Sequence, residues 1–326
     1  MCERNDKMIF SGDNVRLNNI FTVCDAIAMA KARTRKDILA YSHLSRPTVI
    51  KATEALLDTG LINERLAGDH YRYRMNPVCI YAIADLRYGF FMTFTDGTGR
   101  VLRKIEFHEL SVFYYDERLS LFFRNISQSF KKLFPKGRIV GIAVILPSGD
   151  DEYRNTRSIL GSQERLLKLV SSYFSVKNIA VLKAVDAAAE MIKNERALLI
   201  IKEETRVFAR AVGYADENVA VLKTVGRTEI GSCCTGASLA AELAYAVGNL
   251  CTVLAPEEIY LDGDGLFAFS AFPRRFREAL SGYLGIESAA LPNAHHSDGS
   301  LVLCGAVRYL RCKYIESQYN FEEVKK

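Results

Sequence analysis

The sequence predicts a mixed α/β chain in two parts: a small helical head that ends in a hairpin, and a larger body of two α/β lobes. Three observations predict it. Apolar residues recur at helical spacing from Asn14 and give way to two short alternating strands that end near Met75. Composition and period then change at Pro77. Beyond it, a three-stranded meander is followed by alternating helices and strands and then by further strands.

Bulk composition sets the bounds. The 326 residues suit two or three domains, and 49% hydrophobic with 25% charged residues is enough for a sizeable core. The net charge of +5 is too mild to establish nucleic-acid binding by itself. The N-terminus, MCERNDKMIFSGDN, has no apolar run of signal-peptide length, and no stretch is long enough for a membrane span. The eight cysteines are scattered, mostly within apolar periodic segments, and fit reduced thiols of a cytoplasmic protein. No internal repeat is visible.

In the head, Leu17, Ile20, Phe21, Cys24, Ile27 and Ala28 form one helical stripe. Thr34 precedes Asp37 by capping-box spacing and starts a short second helix over 35–41. Ser45 is a good N-cap for a third helix, and Pro47 falls in its first turn, where a missing backbone donor costs nothing. Gly60 ends that helix as a left-handed C′ residue. Two helices joined by a short turn, with Leu44 directed into their junction, make a helix-turn-helix. The third helix exposes Arg46, Thr48 and Lys51, with Glu54 and Asp58 at its far end. A Gly68-Asp69 turn then joins two strands carrying Arg65, Arg72 and Arg74, and alternation puts Arg72 and Arg74 on one face. A basic helix N-terminus beside a basic wing predicts binding to double-stranded DNA through Ser45, Arg46, Thr48, Lys51, Arg65, Arg72 and Arg74. The competing reading is a protein-docking or dimerisation domain.

In the body, strands are expected at 78–85, 88–95, 100–107, 139–146, 179–182, 197–201, 206–213 and 219–224. Helices are expected at 116–133, 163–174, 186–194, 236–254, 272–284 and 299–317. His295-His296 reads as a solvated turn.

Several phrases, taken in order, resemble the ROK family (repressors, open reading frames and sugar kinases). They are the Leu44-Ser45-Arg46-Pro47-Thr48-Val49 turn and Gly141-Ile142-Ala143-Val144 with Pro147. Further along come Ala240-Ala241-Glu242 through Leu266, with a strand running into a glycine-rich loop, and the closing helix from Gly299 to Tyr309. The resemblance covers nearly the whole chain. It implies a winged helix-turn-helix over 1–77 and a two-lobed ribonuclease-H-like, actin/hexokinase-like domain over 78–326.

That family's kinases cradle phosphates on an acidic-Gly-Gly-Thr turn, because only glycine lets the backbone come close to the oxygens. The matching residues here are Asp85-Leu86-Arg87-Tyr88-Gly89. The second phosphate turn is matched by Lys202-Glu203-Glu204-Thr205-Arg206, where carboxylates would repel phosphates. The family's Asn-Asp-Ala-Asn segment aligns with Lys183-Ala184-Val185-Asp186, which puts Ala184 at the catalytic base and Asp186 at the last Asn. A shift by two residues would instead make Asp186 the base. Ser232 replaces a zinc-binding His, and adjacent Cys233-Cys234 suit a single metal poorly.

The resemblance therefore implies a transcriptional regulator, a repressor of sugar-metabolism genes, with no catalytic residues, cofactor or metal. Asp186, Glu229 and Ser232 are expected to hold a sugar or sugar-phosphate effector, and a homodimer is expected on an operator. The alternatives are an active sugar kinase with an appended head and a ligand-independent dimeric scaffold.

Overall fold

In a computed structural model, residues 12–68, 70–108, 115–149, 162–193, 196–203, 206–214, 219–222, 236–263 and 271–319 are described. The head comprises α1 (Gly12–Ala28), α2 (Arg35–Ser42), α3 (Arg46–Asp58) and the antiparallel pair β1 (Ile62–Ala67) and β2 (His70–Met75). Thr34 closes a full capping box with Asp37. His43 ends α2 in a left-handed conformation (φ 54°), and its amide donates to the Leu39 carbonyl. That reversal leaves a three-residue turn, His43 to Ser45, before α3. Gly60, at φ +69°, takes the left-handed position after α3 that a side chain would resist.

The first lobe of the body contains β3 (Cys79–Asp85), β4 (Phe91–Thr95), β5 (Val101–Glu106), α4 (Tyr115–Leu133), β6 (Arg138–Leu146), α5 (Gln163–Tyr173), β7 (Ile179–Lys183) and α6 (Ala184–Ala189). The second contains β8 (Ala197–Glu203), β9 (Arg206–Val212), β10 (Val219–Val221), α7 (Gly236–Leu254), β11 (Glu258–Gly263), α8 (Phe272–Leu284) and β12 (Asn293–Ser297). The closing helix is α9 (Ser300–Tyr319).

The two five-stranded sheets have the orders β5-β4-β3-β6-β7 and β10-β9-β8-β11-β12. In each, an antiparallel meander is extended by two parallel strands. The lobes thus repeat one topology although the sequence shows no repeat. Period-2 strands specify pairing partners without requiring the same residues.

Differences from the sequence expectation are local. β4 begins at Phe91 rather than Tyr88, because the chain bends through residues 87–89 and Gly89 adopts φ +147°. α6 stops at Ala189, five residues before the expected end. Leu133 is exposed at the last position of α4. His295 and His296 lie in edge strand β12, paired in parallel with Tyr260 and Leu261. Its polar, mostly exposed side chains give no apolar alternation, so the ladder to β11 defines it.

Three apolar cores follow from these layers. One lies between the first sheet and α4 and α5, around Phe94, Phe122 and Phe123. Another lies between the second sheet and α7 and α8, around Phe272 and Phe276. The third fills the middle, where α6 and α9 pack on the inner sheet faces, and it continues without a break into the head through Ile20, Ile27, Leu56 and Tyr73. α6 and α9 cross at touching distance because position 305 is glycine: a Cβ there would lie 1.8 Å from the Ala187 carbonyl oxygen.

The head is also held electrostatically. Asp25 of α1, almost fully buried, accepts from Arg311 Nη2 at 3.0 Å and Arg308 Nε at 2.9 Å, both on α9. Arg311 is 1% exposed, and its other terminal nitrogen donates to the Gly97 carbonyl at 2.6 Å. Tyr314 and Arg138 reach the Thr59 carbonyl at the end of α3.

Two outcomes follow. Gly305→Ala forces the helix crossing apart and lowers unfolding stability in urea by at least ~1–3 kcal/mol. Asp25→Ala takes the carboxylate away from the buried Arg311 guanidinium and costs ~3–5 kcal/mol in the same measurement. An unchanged midpoint in either variant refutes the packing described for that site.

Candidate nucleic-acid interface and interlobe cleft

α3 presents its N-terminal turn to solvent. Ser45 caps it with extended backbone, and its Oγ accepts from the Thr48 amide at 3.4 Å and meets Thr48 Oγ1 at 2.8 Å. Ser45, Arg46 and Lys51 are exposed and Thr48 is partly exposed. No acidic residue lies in this first turn, so the positive end of the helix dipole adds to Arg46. Glu54 and Asp58 are exposed towards the other end, as expected. The buried stripe of α3, Val49, Ala52, Thr53, Ala55 and Leu56, seats it on the head core and fixes which face remains free.

The hairpin register sets Arg65 opposite Arg72 and Asn63 opposite Arg74. Directly opposed residues share a face, so all three arginines project from one side, and all are exposed. The other side carries Tyr73, which is 1% exposed and accepts from Arg35 Nε at 3.0 Å through its hydroxyl. The inward tyrosine is what turns the arginines outward. The structure therefore leaves each of the seven residues expected on this surface at least partly accessible.

In the cleft between the lobes, the turn after β3 is filled by the protein's own side chains. After β3, Arg87 folds back on Asp85, with Nε donating to Oδ1 at 3.0 Å and Nη2 to Oδ2 at 2.8 Å. The Arg87 backbone amide donates to the same carboxylate at 3.1 Å. The guanidinium also lies 4.9 Å from the Tyr88 ring centroid. The Tyr88 hydroxyl reaches across to the Lys202 carbonyl at 3.5 Å.

Deeper in, Glu203 at the end of β8 accepts from the Ser148 amide at 3.0 Å and its hydroxyl at 2.8 Å, while Val185 N donates to Ser148 Oγ at 3.1 Å. One buried carboxylate thus latches the second lobe to the end of β6 and the start of α6. Burial raises the Glu203 carboxyl above the usual range, opposed by the Ser148 bonds and the Arg87 charge. Asp262, fully buried at the end of β11, is raised by burial in the same way.

Among the expected effector residues, Asp186 lies in the first turn of α6 and pairs with Arg210 of β9. Glu229 and Ser232, with Cys233 and Cys234, lie outside the described residues. Among the described residues there is no cluster of His, Cys, Asp or Glu suited to a metal ion. Nor is any described helix long and apolar enough to cross a membrane. Sequence reasoning missed Arg210, Ser148 and the Asp25–Arg308–Arg311 group. The one available signal was a pair of arginines three apart within the otherwise apolar stretch Leu301–Cys312 of α9.

No protein-family model matches the chain, and no curated protein does. Among solved structures it is similar to a ROK family transcriptional regulator described as a homologue of the E. coli MLC protein. That likeness has a TM-score of 0.62 at 14% identity and covers 93% of this chain and 100% of the other. It is also similar to a ROK hexokinase from Thermus thermophilus (TM-score 0.51, 14% identity, 71% of this chain and 99% of that one). A ROK family glucokinase from Streptomyces griseus, in complex with glucose and AMPPNP, gives a TM-score of 0.51 at 12% identity, with 71% and 99% covered. The chain has the actin-like, two-lobed α/β fold of ROK proteins.

The Glu203 latch has a pH signature. A carboxyl raised on folding contributes stability below its ordinary value, and that contribution is lost as pH rises through the raised one. Glu203→Gln removes this loss, so the variant's urea midpoint falls less than the parent's as pH rises from acid to neutral. Parallel pH profiles for the two proteins would defeat the assignment.

Proposed function

We propose that this chain is a ROK-family transcriptional regulator that binds double-stranded operator DNA through a winged helix-turn-helix head. The head spans 1–77 and the ROK domain 78–326, with the latter serving effector sensing and dimerisation rather than phosphoryl transfer. The observation that carries the reading is the joint display of one uncompensated, basic helix N-terminus and three arginines on one wing face. Arg46 and Lys51 would meet base edges in the major groove, and Ser45 and Thr48 the flanking phosphates. Arg65, Arg72 and Arg74 would meet phosphates or the minor groove.

Two further observations support it. The likeness to the ROK regulator extends over nearly the whole chain, whereas the kinases leave uncovered a share about as large as the head. In the cleft, the Arg87–Asp85 pair and the Tyr88 side chain fill the turn where a kinase needs open glycine backbone. Asp186, the one candidate base, is already neutralised by Arg210. The protein would work in the cytoplasm as a homodimer on a palindromic site, repressing genes for a metabolite related to its effector.

Genomic fragments retained by the purified protein supply the duplex for the test. In gel shifts, Arg46→Ala and Lys51→Ala each weaken the enriched duplex by ~1–3 kcal/mol and barely change binding to random DNA. Arg72→Ala weakens both duplexes alike and lowers the salt slope by about one unit. Equal binding by all three variants rejects the surface. Sugar-dependent ATP turnover in a coupled assay rejects the non-enzymatic reading.

A further inference from the structure

The hairpin of the head runs on past the surface it packs against. On its inward face Ile62, Tyr73 and Met75 are buried, and the Tyr73 amide donates to the Arg33 carbonyl at 2.7 Å. One step farther out on that face, Leu66 of β1 and Tyr71 of β2 stand directly opposite each other. They are 61% and 48% exposed, the two most exposed large apolar side chains among the described residues of the head. Ala67 and Gly68 lead the tip with little bulk, and a Cβ added at Gly68 would meet nothing within 4 Å. The opposite face of the same tip carries His70, Arg65 and Arg72, all exposed. Glu64, one pair nearer the head on the apolar face, is also exposed. Asp69, in the turn, lies outside the described residues.

A ribbon with arginines on one face and an apolar pair on the other matches the minor groove of a duplex. The rims of that groove are phosphates and its walls are the carbon skeletons of sugars, so both faces of the tip meet a complement at once. A protein partner would have to supply an anionic wall and an apolar wall one ribbon apart. Dimensions decide what entry does to the DNA. The minor groove is about 6 Å wide. A ribbon with side chains on both faces is about 10 Å thick, the spacing at which sheets stack. The groove must therefore open, and an apolar wedge opens it by partly unstacking a base step and bending the duplex toward the major groove.

We propose that the wing tip wedges open the minor groove beside the site read by α3, with Leu66 and Tyr71 against sugars and base edges and with Arg65 and Arg72 on the phosphate rim. The bound operator is bent. This rests on the regulator reading and adds a determinant of sequence choice. Sites with a flexible pyrimidine–purine step under the wing are preferred, although no side chain reads that step by hydrogen bonds.

The test uses the full chain and the enriched genomic duplex, labelled with a donor and an acceptor dye at its two ends so that energy transfer reports bending. The parent should bend the duplex by ~20–90°. The double variant Leu66→Ala, Tyr71→Ala should leave it nearly straight and bind about tenfold more weakly. Its salt slope should equal the parent's because no phosphate contact is lost, in contrast to Arg72→Ala. Leu66→Met should keep the bend. Both side chains are exposed, so the double variant should melt like the parent. Replacing the flanking pyrimidine–purine steps by a stiff A-tract should weaken the parent more than the double variant.

A duplex left straight by the parent overturns the proposal, as does an equal bend with parent and double variant. A double variant that keeps the bend but loses self-association, read by light scattering, assigns the pair to a second copy of the chain and overturns it too. Arg46→Ala separates this failure from failure of the regulator reading. If that variant loses preference for the enriched duplex while the double variant binds and bends as the parent does, the wedge alone is wrong. If the parent shows no preference for the enriched duplex, both readings are wrong.

Discussion

The buried contact between Asp25 and Arg311 decides how this molecule is put together. A guanidinium that is 1% exposed is tolerable only if its donors find acceptors, and here one acceptor is a carboxylate belonging to the head. The other is a backbone carbonyl in the turn between β4 and β5. Arg311 therefore ties together the head, the first sheet and the last helix. The apolar core that runs from Ile20 and Leu56 through to Val307 and Leu310 surrounds this contact and keeps water away from it. The head is consequently part of the body's packing rather than a reader on a loose tether. Its orientation follows whatever α9 does.

α9 in turn answers to both lobes. It packs on the first sheet, and at Gly305 it touches the backbone of α6, which opens directly from β7. Two sheets of identical strand order, with one pair of helices crossing between them, can change their mutual angle by small adjustments at that crossing. Hinge motions of this kind need only a few positions to absorb the change. The latch from Glu203 to Ser148 and Val185 bears on the same motion, because it joins the second lobe to the strand and helix on the other side of the crossing.

Much of the head was legible in the sequence because its determinants are local. Thr34 and Asp37, Ser45 and Pro47, and Gly60 each act within one helical turn, and the structure places them as caps and terminators. Arginine alternation on the hairpin was legible for the same reason. The strands of both meanders, and β6 and β7, followed from period and length. What escaped were features whose partners are far apart. Asp25 and Arg308 are separated by 283 positions, and Ser148 and Glu203 by 55. No local pattern encodes either pairing. β12 escaped because an edge strand of Asn, Ala, His and Ser carries no apolar alternation. At the cleft, the sequence revealed that glycine was missing after β3, but not that Arg87 would turn back on Asp85. Asp186 was recognised as a cleft carboxylate, but its partner Arg210 arrives from a different strand.

Under the proposed reading, the same constraint lets such a fold dispense with phosphoryl transfer and keep its mechanics. Phosphoryl transfer requires backbone amides close to the phosphate oxygens and a free base aligned with the acceptor hydroxyl. A side chain at Arg87 and an ion pair at Asp186 each interfere with one of those requirements. Sensing is less demanding. It needs only a ligand that favours one lobe spacing over another, and a rigid element that carries the difference outward. The Arg87–Asp85 pair in the turn after β3 lies apart from the crossing at Gly305 and from the Asp25–Arg311 contact. The side chains that fill the turn after β3 therefore leave the helix between cleft and head as it is. That helix runs from Ser300 at the cleft wall to Tyr314 at the end of α3.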